Sequence, residues 1–346
     1  MVLWSPPQRA VVFRAFQRIA AATDLLRPQT FFRTLARVDE LADRTRELRT
    51  QMAVLERRTA QLLAIEHLDG SADLEQLSAL DPERIKNHIR CAVASSVLEH
   101  DPFPYTIVQD WLPPDVYQLV LRGIPPAVFF TSDDGAREQL AVPLGFGPRP
   151  CLLIWRYVTE QIVAGALHSA LSEKFRDVIS EYVGRFCPTA DVSGLTLHAS
   201  NGRLMLRRPG YVITPHRDPK WGFLTGLAYL ARPGDDDTHG TQLYRVRDDE
   251  EAPSDKPYYV EPGRCELVRR VPFAPNTLLV FLNSAGAHGA SIPADAQPPT
   301  LERYAYQFRL GPSNEAIAAL LAGMAPAVRA SWKGAKSSRA IGPPMA

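Results

Sequence analysis

Arg208-Pro209-Gly210-Tyr211-Val212-Ile213-Thr214-Pro215-His216-Arg217-Asp218-Pro219 is a Pro-Gly turn, a short β-branched run and then a His-x-Asp. Extended backbone throws side chains two residues apart to the same side. The imidazole of His216 and the carboxylate of Asp218 therefore converge on one point. A second imidazole, His288, follows the β-rich run Thr277-Leu278-Leu279-Val280-Phe281-Leu282. Two histidines and one carboxylate on one face of a metal leave three positions open, the facial triad of non-haem Fe(II) sites. A His-x-Asp alone arises readily by chance, so its surroundings have to decide.

From residue 195 onward those surroundings read as strands: 203–206, 211–214, 224–230, 242–246, 265–268, 277–282 and 304–310. Turn clusters such as Arg232-Pro233-Gly234-Asp235 and Glu261-Pro262-Gly263 punctuate them. Many short strands at this spacing predict a sandwich or jelly roll. Upstream, 105–109 reads as a strand, 113–122 as a helix opened by prolines, 127–149 as loop-rich, and 159–186 as one amphipathic helix.

Residues 1–100 read as helical. Within them Phe31, Thr34, Val38, Leu41, Thr45, Leu48, Met52, Leu55, Thr59 and Leu62 alternate in steps of three and four, the pattern of a coiled-coil seam over 31–65. Three threonines weaken that seam, and a parallel pairing would set Arg44 against a partner's Arg49. The segment thus divides evenly between a homodimerising coiled coil and a long helix folded onto its own chain. Residues 313–346 read as one small helix and a polar tail expected to be disordered. The overall expectation is an α+β chain: a helical region (1–100), a β-rich domain (101–312) and this tail.

The chain has 346 residues, a formal net charge of +1 and 45% hydrophobic residues. No basic field argues for nucleic acid, and no apolar run approaches the ~18 residues of a membrane span. Cys91, Cys151, Cys187 and Cys265 lie far apart without a CxxC, as expected of unpaired thiols in a cytoplasmic protein.

The stretch ending in His216-Arg217-Asp218 resembles the first iron-ligand segment of the prolyl-4-hydroxylase type of 2-oxoglutarate/Fe(II)-dependent oxygenases. Leu224-Thr225-Gly226-Leu227-Ala228-Tyr229-Leu230 is similar to that family's next strand, and Gly240-Thr241-Gln242-Leu243-Tyr244 to its Gly-rich one. The run through Asn276 to Ser284, leading to Ala287-His288-Gly289, resembles the strand before the distal histidine. Arg303-Tyr304 then stands where the family carries a basic residue, after an inserted loop at 294–300. Asp101-Pro102-Phe103-Pro104-Tyr105 and Trp111-Leu112-Pro113 resemble a frequent opening of bacterial members.

The resemblance covers roughly residues 101–312. It implies a double-stranded β-helix (jelly-roll) core with flanking helices, iron on His216, Asp218 and His288, and 2-oxoglutarate and O₂ as co-substrates. Arg303, or Arg309 on the same strand face, would hold the distal carboxylate of 2-oxoglutarate. Related halogenases replace the carboxylate ligand with a small residue, and Asp218 is retained, so hydroxylation of an organic substrate is implied. The resemblance concerns the iron and co-substrate sites and leaves the substrate open. A small metabolite or carrier-bound molecule is favoured, with a peptidyl residue as alternative.

Arg207, Arg208, Tyr211 and Trp221 flank the motif and are candidate substrate contacts, with core or rim packing equally consistent. His239 beside Asp235-Asp236-Asp237 reads as a hairpin loop. His67, His88, His100, His168 and His198 lack a second ligand at useful spacing, and Cys265 lacks a neighbouring base. Two other classes fit less well. A non-catalytic jelly-roll module would be expected to lose one of His216, Asp218, His288 and Arg303, and a cupin-like enzyme would not need the arginine.

Overall fold

A computed structural model of the chain describes residues 6–23, 28–188, 190, 195–249, 258–283 and 286–332. The chain divides into two units, Met1–Leu62 and Leu63–Ala346. The first holds α1 (Pro6–Thr23) and most of α2 (Pro28–His67), each opening on a proline, whose fixed φ and missing N–H suit a first helical turn. The heptad falls on α2, a helix of 40 residues, and Leu41, Leu48, Met52 and Leu55 are exposed on it. Phe31 and Thr34 lie where side chains are outside the described residues. So does the expected disordered tail from 333 onward.

The second unit contains α3 (Ser71–Ser78), α4 (Pro82–Ser95), α5 (Pro114–Arg122), α6 (Arg149–Tyr157), α7 (His168–Lys174), α8 (Arg176–Phe186), α9 (Asn314–Gly323) and α10 (Pro326–Trp332). Asp81 caps α4 by accepting the Glu83 and Arg84 amides at 2.9 and 3.2 Å, with Pro82 in the first turn. Ile85, Ile89 and Val93 bury its apolar stripe, so this helix belongs to the core of the second unit.

The strands are β1 (Leu98–Glu99), β2 (Tyr105–Gln109), β3 (Thr131–Asp134), β4 (Arg137–Ala141), β5 (Leu197–Arg207), β6 (Val212–Arg217), β7 (Leu224–Tyr229), β8 (Gln242–Val246), β9 (Tyr258–Tyr259), β10 (Cys265–Arg270), β11 (Thr277–Leu282), β12 (Ala287–Ser291) and β13 (Arg303–Pro312). They form an eight-stranded sheet, β1-β2-β11-β7-β13-β5-β4-β3, and a five-stranded sheet, β10-β8-β12-β6-β9. From β5 to β8 the chain alternates between the two sheets, and it does so again from β10 to β13. Every pairing is antiparallel.

Alternation along the long sheet sorts its residues into two layers. Leu204, Leu206, Leu224, Ala228, Leu278, Val280, Tyr306 and Phe308 pack outward with helical residues such as Trp155, Phe175 and Tyr182. Leu227, Tyr229, Leu279, Phe281 and Ala305 pack inward with Leu243, Val271 and Phe273. Burying each large apolar side chain contributes about 1.5–3 kcal/mol.

Two expectations are corrected. The 127–149 segment is not mainly loop: β3 and β4 form a hairpin, and β4 pairs along β5. Its β4 positions (Arg137, Glu138, Gln139) are polar or charged in succession, so no apolar period announces it. The 159–186 helix starts earlier and is not one element. It continues from α6 through a π-helical segment (Val158–Leu167) into α7 and breaks at Phe175, whose φ/ψ of −97°/9° leaves the helical range. Ile162, Val163, Ala166 and Leu167 are all buried along this segment.

Candidate active site

β6 and β12 are hydrogen-bonded neighbours in the short sheet, and His216 pairs directly with His288 across them. This register brings residues distant in sequence together, with ring centroids 4.2 Å apart. Beyond that pair β6 carries one extra residue, since His288 opposes His216 while Ala290 opposes Ile213. Pro215 sits in the bulge, where a residue without an N–H is tolerated. Opposite it, a Cβ at Gly289 would meet the Ile213 carbonyl. Asp218 lies immediately after β6, and the ligand atoms of His216, Asp218 and His288 fall within 4.8 Å of one another, all three buried.

Each side chain is held from behind. The Nδ1–H of His216 donates to the Thr214 carbonyl at 3.0 Å, leaving Nε2 with the lone pair. Phe281 packs against His288 with ring centroids 4.5 Å apart. Thr225 donates to Asp218 Oδ2 at 2.7 Å and accepts from Asn283 Nδ2 at 2.9 Å. Arg309 donates to Asp218 Oδ1 at 2.9 Å.

Burial pushes His288 down to about 3, with His216 adding repulsion, and burial also lowers His216. Both imidazoles are thus neutral and able to ligate at neutral pH. For Asp218, burial opposes the charge, but Arg309, the two histidines and the Thr225 hydroxyl outweigh it and hold the carboxyl well below its usual range. Soft thiolates are absent from the set, and its N₂O composition suits a divalent first-row metal.

Arg303 begins β13 on the same inward parity as Arg309. It is 2% exposed, its guanidinium lies 4.6 Å over the Phe273 ring, and its Nε and both terminal nitrogens have no hydrogen-bond partner among the described residues. Asp235, Asp236 and Asp237 act on it only through space. A buried cation with no acceptor is costly, and an anionic ligand would supply what it lacks.

The remaining candidates fall elsewhere. Arg208 is ion-paired to Glu138 and to Glu302, the latter at 2.9 Å. Tyr211 packs with Ile292 and Leu301 under the Arg207 guanidinium. Trp221 is buried in the outward layer against Phe223 and Trp332. Asp235 and Asp236 accept from the Arg232 and Thr238 amides, as turn residues beside His239. His88 and His168 are bonded to the Asp110 and Leu197 carbonyls. Thr225, Asn283 and the Arg309–Asp218 contact escaped the sequence reading. Only the inward parity of Thr225 and Arg309 on their strands pointed to them.

No family model matches the chain, and no curated protein matches it in sequence. Among solved structures it is similar to a prolyl-4-hydroxylase from Pseudomonas putida (14% identity, TM-score 0.35, covering 65% of this chain and all of that one). It is also similar to AviO1 from Streptomyces viridochromogenes (12%, TM-score 0.38, 67% and 96%). A third is HygX from Streptomyces hygroscopicus, solved with nickel and 2-oxoglutarate bound (10%, TM-score 0.34, 61% and 83%). No helix among the described residues is long and apolar enough to cross a membrane.

Proposed function

We propose that this chain is an Fe(II)- and 2-oxoglutarate-dependent oxygenase that hydroxylates an organic substrate, a small metabolite or a carrier-bound molecule. The observation carrying this reading is the buried guanidinium of Arg303, without a hydrogen-bond partner among the described residues, packed on the same apolar cluster (Phe273, Phe281) as His288 of the His216, Asp218 and His288 site. A metal site alone fits many chemistries. A metal site with a buried cation waiting for an anion fits a co-substrate that is both chelator and carboxylate. We read the strand orders β11-β7-β13-β5 and β10-β8-β12-β6 as the two walls of a double-stranded β-helix.

In this reading His216, Asp218 and His288 hold the iron, and Arg303 holds the distal carboxylate of 2-oxoglutarate through paired charge-assisted hydrogen bonds. Bound together, iron and 2-oxoglutarate supply O₂-dependent oxidation of a C–H bond, with succinate and CO₂ as co-products. Thr225 and Asn283 fix the carboxylate ligand, and the Thr214 carbonyl fixes the tautomer of His216. Phe273, Phe281, Leu227 and Leu279 line the interior with apolar surface, which excludes water and strengthens the Arg303 ion pair.

Anaerobic titration of the Fe(II)-loaded protein with 2-oxoglutarate tests this. A weak visible charge-transfer band is expected, lost in His288→Ala. Iron binding without the band would refute the co-substrate, and absence of iron binding would refute the enzyme.

A further inference from the structure

β4, β5 and β13 run side by side, and their inward positions carry Arg137 and Gln139, Arg203 and Arg207, then Gln307 and Arg309. A bulge in β5 shifts its register against β13, with Arg203 opposite Gln307 but Ser200 opposite Arg309. At the bulge a Cβ on Gly202 would strike the Gln307 carbonyl and the Tyr306 ring, so the backbones approach closely there. A pocket of about 480 Å³ opens beside this bulge, lined by Arg203, Arg309, Gln139, Gln307, Ser200 and Thr131 among others. That volume suits a small molecule. Arg309 is shared: it lines the pocket and donates to Asp218. The pocket is therefore one side chain away from the metal cluster.

The charges do not balance. Arg203 donates to Gln307 Oε1 at 2.7 Å and to Gln139 Oε1 at 3.2 Å. Both partners are neutral amides, which aim the guanidinium without neutralising it. Arg137, Arg207 and Arg309 repel it, and Asp218 attracts it. Asp218 is already committed to Arg309 and to the metal cluster. Glu138, the carboxylate on β4, faces Arg208 instead. None of the described residues lining the pocket is acidic.

We propose that this pocket binds the substrate through an oxyanion, a carboxylate or phosphate ester on a small organic molecule, seated on Arg203 and steadied by Gln139 and Gln307. The inference rests on the oxygenase reading, because it makes the pocket the substrate's route to the metal. Arg303 is reserved for the co-substrate, so an anionic substrate would need a second anion site, and Arg203 supplies one.

Paramagnetic relaxation tests it on the full chain. The protein is loaded anaerobically with Mn(II) and saturating 2-oxoglutarate, which engages Arg303, and titrated with inorganic phosphate (³¹P) or labelled acetate (¹³C). Saturable relaxation enhancement is expected, absent from the Zn(II)-loaded control. Arg203→Met should weaken it roughly tenfold or more and Arg203→Lys less. A response to phosphate alone, to acetate alone or to both identifies which oxyanion the pocket takes. If Arg203→Met loses the metal, Gln139→Leu replaces it and should weaken binding several-fold. Metal bound, as read by loss of the free Mn(II) resonance, with no saturable enhancement overturns the oxyanion site and leaves the oxygenase reading standing. So does enhancement unchanged in Arg203→Met. Failure to bind metal at all overturns the oxygenase reading and this inference with it.

Discussion

Arg303→Met should make the ligand-free protein more stable while crippling its affinity for 2-oxoglutarate. Methionine keeps most of the apolar stem and removes a guanidinium whose three nitrogens are buried without acceptors. An uncompensated buried polar group costs about 1–3 kcal/mol and a charged one more, and apolar replacement of buried ions often stabilises by about 1–4 kcal/mol. Against this stands the lost contact with the Phe273 ring, worth about 0.5–2 kcal/mol. The net expectation is a gain of roughly 1–2 kcal/mol.

The same change deletes two charge-assisted hydrogen bonds to the bound carboxylate. At about 1.5–3 kcal/mol each, their loss weakens 2-oxoglutarate binding by about two orders of magnitude or more. Thermal melts with and without Mn(II) and 2-oxoglutarate separate the two effects. The variant should melt several degrees higher than wild type when empty and gain little on adding the co-substrate, whereas wild type gains by mass action. A variant that melts lower when empty and binds 2-oxoglutarate normally would mean that the charge is compensated and that Arg303 is not the carboxylate site.

Thr225→Val removes the hydroxyl that donates to Asp218 Oδ2 and accepts from Asn283; it should lower metal affinity about 10- to 100-fold, measured by Mn(II) resonance titration, and cost about 1–3 kcal/mol of stability. Burial lowers His288 to about 3 and lowers His216. Between pH 6.5 and about 3 the unfolded chain therefore binds protons that the folded metal-free chain refuses. Its stability should fall as pH drops through that window, by an amount on the order of several kcal/mol. Urea midpoints at pH 7, 6 and 5 should show this slope, reduced in His288→Gln. Gly289→Ala drives a Cβ into the Ile213 carbonyl opposite the β6 bulge. It should cost at least about 2 kcal/mol and loosen metal binding, as denaturation and metal titration would record.

What the sequence disclosed and what it hid follow from the range of the interactions involved. The convergence of His216 and Asp218 is local, a matter of two-residue parity, and needs no knowledge of the fold. The partnership of His216 with His288 is a register between strands brought together by the topology. Parity cannot specify it, and only the resemblance to a known strand order supplied it. The β3–β4 hairpin was hidden for a related reason. The residues of β4 alternate between exposed and half-buried, so the strand carries no apolar signal. Trp221 misleads in the opposite direction: proximity in sequence to the metal motif suggested a substrate contact, but its indole belongs to the outward layer with Trp332.

The arginines make the distinction sharpest. In sequence Arg203, Arg207, Arg208, Arg303 and Arg309 are alike, arginines in or beside β-rich runs. Their neighbours separate them: Arg208 has two carboxylates, Arg309 has Asp218, Arg203 has two amides and Arg303 has no hydrogen-bonding acceptor. A cation's function is set by the counter-charge it lacks, and that deficit exists only once the strands are in register.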